Sequence, residues 1–215
     1  MVAVTARLEG RDLGSAIVDI EKTLHQTDLL PSPIYYVLGG LYAEQQIAFK
    51  DMLVVFMAAV ALVFLLLLMV YESFRVALAM IITTLSSMAA VFIGLWLTHT
   101  ELNIMAIMGM TMVIGIVTEV AVFYYSEYEN LPAIDKQGIE GFSKAGNNRM
   151  RPIAMTTIAA IFALLPLALG LGTGAEMLQP LAIALIFGLV IQIPLVLVLL
   201  PSLLQQLHKL DHVNV

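Results

Sequence analysis

Ile104-Met105-Ala106-Ile107-Met108-Gly109-Met110-Thr111-Met112-Val113-Ile114-Gly115-Ile116-Val117-Thr118-Glu119-Val120-Ala121-Val122-Phe123-Tyr124-Tyr125 is an apolar run that holds a single carboxylate. Crossing about 30 Å of hydrocarbon at about 1.5 Å per residue takes roughly 20 residues of helix, so this run is long enough to span a bilayer. An Asp, Lys or Arg at the centre of such a helix costs about 2.5–3.5 kcal/mol on insertion scales, and Glu is comparable. Glu119 is therefore a candidate functional residue. Its competing reading is a protonated, hydrogen-bonded carboxyl that only holds helices together.

The rest of the chain places this run among others like it. Of 215 residues 60% are hydrophobic and 12% charged, about half the charged share of a soluble domain. The charges gather in residues 1–51, in 126–151 and in the last few positions. The net charge of −6 is spread without any basic stripe, which gives no support to a nucleic-acid partner. Cysteine is absent, so disulfide and thiol chemistry are excluded.

Apolar windows of spanning length fall at 52–70, 76–97, 104–125, 153–171 and 181–200. Five spans put the two ends of the chain on opposite sides. Arg75, Lys136, Lys144, Arg149, Arg151 and Lys209 all lie in the loops and tail of one side, and the loops 98–103 and 172–180 of the other side carry no Lys or Arg. By the positive-inside rule the loop 126–152 and the C-terminus are expected in the cytoplasm and the N-terminus on the far side.

Residues 1–50 form the second expected unit. Val2–Leu8 is β-prone, Asp12 is placed to cap a helix with apolar Leu13, Ala16, Ile17, Ile20 and Leu24, and Ile34–Leu38 reads as a second strand after Pro31 and Pro33. A lone β-α-β piece buries too little surface to be stable by itself, so it reads as part of an α+β subdomain completed from elsewhere. No signal-peptide pattern opens the sequence, and export of this piece is expected to depend on earlier helices of a longer polypeptide.

Stepping by helical turns from Glu119 meets Gly115, Met112, Thr111 and, forward, Ser126, a narrow polar or small face suited to packing against another helix. The next span opens with Arg149-Met150-Arg151-Pro152 and carries Thr156 seven residues after Arg149, on the same face. Glu119 is expected about 9 Å and Thr156 about 5 Å inside the cytoplasmic boundary. If the two helices are neighbours, Glu119, Thr156 and Arg149 form one intramembrane polar group. Each partner has a plainer role as well. Thr156 can satisfy its hydroxyl on a carbonyl of its own helix, and Arg149 and Arg151 can serve as topology signals and headgroup anchors. Pro166 and Pro194 are expected to kink their helices, Pro180 to start one, and Gln192 to act as interhelical glue.

Met105, Met108 and Met112 share a helical face, which would suit a soft metal ion, but methionine is also an ordinary filler of apolar cores. The histidines, His25, His99, His208 and His212, lie outside the spans, and the sequence holds no metalloprotease, nucleophile-elbow or phosphate-loop motif. Enzymatic activity, a resident metal and a cofactor are not expected.

The residues Gly115-Ile116-Val117-Thr118-Glu119, the stretch 144–157 with its Arg149-Met150-Arg151-Pro152 core, Leu164-Leu165-Pro166-Leu167-Ala168 and Gly170–Met177 together resemble the C-terminal end of a resistance-nodulation-division (RND) efflux permease. Glu9-Gly10-Arg11-Asp12-Leu13-Gly14 and Leu38-Gly39-Gly40 resemble that family's last porter-subdomain segment. The resemblance covers essentially the whole chain and is most specific over 149–168. It implies a multispan α-helical protein of the bacterial inner membrane, with a periplasmic N-terminal piece of a ferredoxin-like α+β subdomain and five of the family's twelve helices. It implies partners too: the first half of the permease, two further copies in a trimer, a periplasmic adaptor and an outer-membrane channel. Carried over by position, Glu119, Arg149 and Thr156 take places in the proton relay.

The resemblance also carries a departure. Multidrug members commonly have lysine where Glu119 stands, whereas metal-exporting members resemble this chain in having glutamate. Those metal exporters tend to follow the Arg-Pro with a lysine, and here that position is Ile153. The substrate class therefore stays open between drugs and metal ions. No other span contains an acid, so Glu119 reads as one part of a relay whose acidic partner lies elsewhere. The alternative expectation is a truncated or split-gene remnant, or an accessory subunit with a scaffold role.

Overall fold

A computed structural model describes residues 13–26, 41–136, 138–172 and 174–209. The strands expected at 2–8 and 34–38 and the cap at Asp12 lie outside the described residues, and no strand occurs among those described. The chain divides into two compact units, Met1–Lys50 and Asp51–Val215. In the first, the described helix is α1, Leu13–Gln26. The helix α2, Leu41–Tyr71, contributes to both units.

The second unit is helical throughout. It consists of the remainder of α2, then α3 (Phe74–Leu97), α4 (Ile104–Asn130), α5 (Gly138–Ala168) and α6 (Ala175–Pro194), a π-helical turn at Leu195–Leu199, and α7 (Leu200–Lys209). Five stretches are long and apolar enough to cross a membrane: Ile47–Tyr71, Phe74–Leu97, Ile104–Asn130, Glu140–Ala168 and Ala175–Leu207. They correspond to the five windows read from the sequence. Their ends differ. The segment 126–152, expected as a loop, is helical among its described residues except at 131–136, because α4 runs on to Asn130 and α5 begins at Gly138. A hydropathy window marks only the apolar crossing, and nothing obliges a helix to stop where its side chains become polar.

Local chemistry sets several of the ends. Asn103 precedes α4 in an extended conformation and its side-chain oxygen accepts a 3.0 Å bond from the Ala106 N–H, satisfying one of the open donors of the first turn. Glu72 and His99, at φ 49° and 51°, turn the chain between α2 and α3 and after α3. Pro180 does not start its helix as expected. α6 begins five residues earlier at Ala175, behind a left-handed Gly174, and the missing N–H of Pro180 leaves the Glu176 carbonyl without its helical donor.

The centre of the bundle is α3, α4 and α6. Val91, Met80 and Ala77 of α3, Val113, Val117 and Ala121 of α4, and Ala184 and Leu185 of α6 belong to one buried apolar core. Small residues permit the close approach. A Cβ placed on Gly188 of α6 would lie 2.5 Å from Cγ2 of Val113, and one on Gly109 of α4 would lie 2.9 Å from the Leu181 carbonyl oxygen. Two helices without side chains at such points gain van der Waals contact along their backbones, which drives association where lipid removes the hydrophobic effect.

Buried hydroxyls are satisfied within this packing. Thr83, Thr84 and Ser87 of α3 donate to carbonyls of their own helix, and Thr84 Oγ1 also lies 3.2 Å from Thr118 Oγ1 on α4. At the other extreme, most of α2 is uncovered, with Leu53, Val54, Met57, Leu62, Leu65 and Met69 exposed. Its last turns make the contact: Leu67 is fully buried, and Tyr71 stands edge-on to Tyr125 with centroids 5.0 Å apart.

Candidate functional site

α4, α5 and α6 leave an open cleft of about 340 Å³ between them, and Glu119, Arg149 and Thr156 all line it. The three residues singled out in the sequence therefore share one space. Ile116, Phe123 and Ile153 supply apolar walls, and Thr157 and Gln192 add polar groups. The geometry follows from the helical period. The buried face of α4 runs through Ala106, Met110, Val113, Val117, Ala121 and Tyr124, which turns Glu119 to the other side of the helix.

That other side is open. Met108, Met112, Gly115, Glu119 and Phe123 are exposed in a stripe along α4, and a Cβ on Gly115 would meet nothing within 4 Å. At Met112 and Gly115 the expected helix partner is not found among the described residues. Glu119 makes no hydrogen bond or ion pair among them either.

The two expected partners are occupied otherwise. Thr156 Oγ1 donates within its own helix, 3.1 Å from the Pro152 carbonyl and 3.0 Å from that of Ile153. Arg149 is held by Glu127, whose Oε2 lies 3.0 Å from both Nε and Nη2 of the guanidinium. Asn148 Nδ2 donates to the second oxygen of the same carboxylate at 2.9 Å. Glu127 is eight residues beyond Glu119, on the same stripe of α4. Spacing in the sequence places both carboxylates on that side of α4 and does not say which of them a guanidinium on α5 reaches.

Thr157 and Gln192 form the contact that sequence reasoning left as general glue. Gln192 Nε2 donates to Thr157 Oγ1 at 2.7 Å, joining α6 to α5, with Gln192 1% and Thr157 3% exposed. Gln192 is the single polar residue of 181–200, which is the signal that pointed to it. No group of three or more His, Cys, Asp or Glu side chains is arranged to hold a metal ion among the described residues. Met108 and Met112 lie on the open stripe.

A model of the AcrB/AcrD/AcrF family matches residues 1–208. The multidrug resistance protein MdtC of Proteus mirabilis (strain HI4320) is 32% identical over 172 residues, covering 80% of this chain and 17% of that protein. The swarming motility protein SwrC of Bacillus subtilis (strain 168) is 28% identical over 176 residues, covering 82% of this chain and 17% of that protein. The crystal structure of a heavy metal efflux pump, crystal form II, superposes with a TM-score of 0.81 at 26% identity, covering 94% of this chain and 20% of that one. The chain thus spans about a fifth or less of the length of these relatives.

Proposed function

This chain belongs to the AcrB/AcrD/AcrF family of RND permeases, and from that membership together with the cleft around Glu119 we propose that it serves as part of an inner-membrane pump that exports small molecules or metal ions in exchange for protons. In this reading the N-terminal unit lies in the periplasm and the C-terminus in the cytoplasm. The rest of the permease completes the transport path. The working assembly is a trimer that joins a periplasmic adaptor and an outer-membrane channel.

The observation that carries the reading is Glu119 itself, a carboxyl within a membrane-spanning helix, unpartnered among the described residues and lining a cleft with Arg149 and Thr156. Loss of water favours the neutral form of any carboxyl, and a guanidinium or water brought up to it favours the charged form. A proton arriving or leaving therefore changes which packing of the surrounding helices is preferred, and coupling needs only that differential. The open stripe through Gly115 and Glu119 is where the missing acidic partner of the relay would face α4. The metal-ion branch finds support in Glu119, and the uncharged Ile153 in the cleft wall departs from it.

A direct test is Glu119→Gln in the assembled pump. Proton-coupled export should disappear while expression and trimer assembly persist, and unchanged export would sink the relay. The second reading, a scaffold or remnant without transport, rests on the absence of a second acid in the other spans. It would gain if the chain and a first-half partner, produced together, form no active pump.

A further inference from the structure

Gln192, which lines the cleft, has one buried polar atom without a partner among the described residues. Gln192 uses Nε2 to bind Thr157, and its Oε1 is buried with no hydrogen-bond donor in reach among the described residues. A buried amide oxygen left open in this way forfeits a bond it would make in water, and native proteins rarely leave such atoms without a reason. The Thr157 bond ties the amide of α6 to α5 at this position.

The bundle sets Gln192 at nearly the depth of Glu119. α4 and α6 run parallel and touch at Val113 and Gly188. One turn further along each helix come Val117 and Gln192, and Glu119 is two residues past Val117, about 3 Å along the axis. Both side chains line the same cleft. The two groups are also chemically matched. A protonated carboxyl owns an O–H donor, and the open group of Gln192 is an acceptor.

Resting on the relay reading above, we propose that Gln192 is a positioning residue of the coupling site, whose Oε1 accepts the hydrogen bond of the protonated Glu119 carboxyl, directly or through one water. The bond exists only in the protonated state. Through it α6, and through Thr157 also α5, registers the arrival of a proton on α4. The charged group that shares this cleft is Arg149 of α5, itself paired with Glu127 of α4. α6 brings no charge between Pro180 and Pro194, and α3 carries none beyond Arg75.

The test uses the complete permease in proteoliposomes, with transport followed against pH and the carbonyl stretch of the protonated carboxyl followed by infrared difference spectroscopy. The Glu119 band is assigned by its absence in E119Q. Gln192→Met keeps the volume and removes the acceptor. Hydrogen bonding to the neutral form raises a carboxyl pKa, so its loss should move the pH profile toward acid by about half to one unit. The carbonyl band should rise in frequency in Q192M, and Gln192→Asn, which keeps an amide, should fall between Q192M and wild type. An unchanged band, or a profile that moves to higher pH, overturns the proposal. If Q192M does not assemble, the wild-type band decides, since a frequency typical of an unbonded carboxyl also overturns it. Continued proton-coupled export by E119Q is a separate result that removes the relay reading itself. Loss of coupling in E119Q beside an unaltered Q192M removes Gln192 alone.

Discussion

Nε and Nη2 of Arg149 both lie 3.0 Å from a single oxygen of Glu127, so the guanidinium that shares a cleft with Glu119 is tied to a different carboxylate on the same helix. Glu119 and Glu127 are eight residues apart, about 12 Å along α4. Glu127 keeps the positive charge toward the end of the helix. The Arg149 and Glu127 side chains are 36% and 23% exposed, which places the pair between a surface bridge and a buried one.

Removal of that tie makes the first prediction. Glu127→Gln should cost little stability, with a double-mutant cycle against Arg149→Gln giving a coupling of about 0.5–1 kcal/mol in unfolding measurements. Its larger effect should be on pH dependence. A released guanidinium favours the charged form of a nearby carboxyl, so the pH profile of coupled transport should shift toward acid. An unshifted profile would mean that Glu127 places no restraint on Arg149.

Adjacent threonines should respond in opposite ways. Thr157→Val removes the one hydrogen bond that the Gln192 side-chain amide makes among the described residues and should destabilise the α5–α6 contact by about 1–3 kcal/mol, the cost of a buried polar group left open. Thr156→Val gives up only bonds to carbonyls of its own helix and should change stability by less than about 0.5 kcal/mol, while impairing coupled transport if Thr156 serves the relay. Thermal unfolding in detergent, read beside transport, separates the two.

The α4–α6 contact predicts a compensating pair. Gly188→Ala brings a methyl to 2.5 Å from Val113 and should cost about 1–3 kcal/mol. Val113→Ala in the same protein should restore most of the loss. Gly109→Ala should have no such rescue, because its obstruction includes the backbone carbonyl of Leu181.

Gly115 gives the contrasting outcome. Nothing lies within 4 Å of a Cβ at that position, so Gly115→Leu should leave the described bundle as stable as before. It should nevertheless weaken association with the rest of the permease, measured by co-purification, if that is what covers the stripe. Undiminished association would show that the stripe faces lipid.

Apolar length made the spans legible, and a single acid in one of them located the site. Both signals are strong because hydrocarbon penalises their alternatives by kilocalories. The pairing of Arg149 was not legible, since Glu119 and Glu127 occupy one face and spacing alone does not say which carboxylate the guanidinium reaches. Gln192 stands out in its apolar span, but its partner does not, because a helix period fixes directions within a helix and says nothing of the rotation between helices. The continuation of α4 and α5 into 126–152 escaped a hydropathy reading for the same reason that short polar helices generally do.

The π-helical turn at Leu195–Leu199 stands directly after Pro194, three residues beyond Gln192. An extra residue in one turn rotates everything downstream by about 100°. It breaks the rotational phase between the membrane part of the helix and its amphipathic tail, where Leu200 and Leu204 are buried. The bearing of Gln192 on the cleft and the bearing of those leucines on the bundle are therefore set independently, and the tail can be re-aimed during evolution without disturbing the amide.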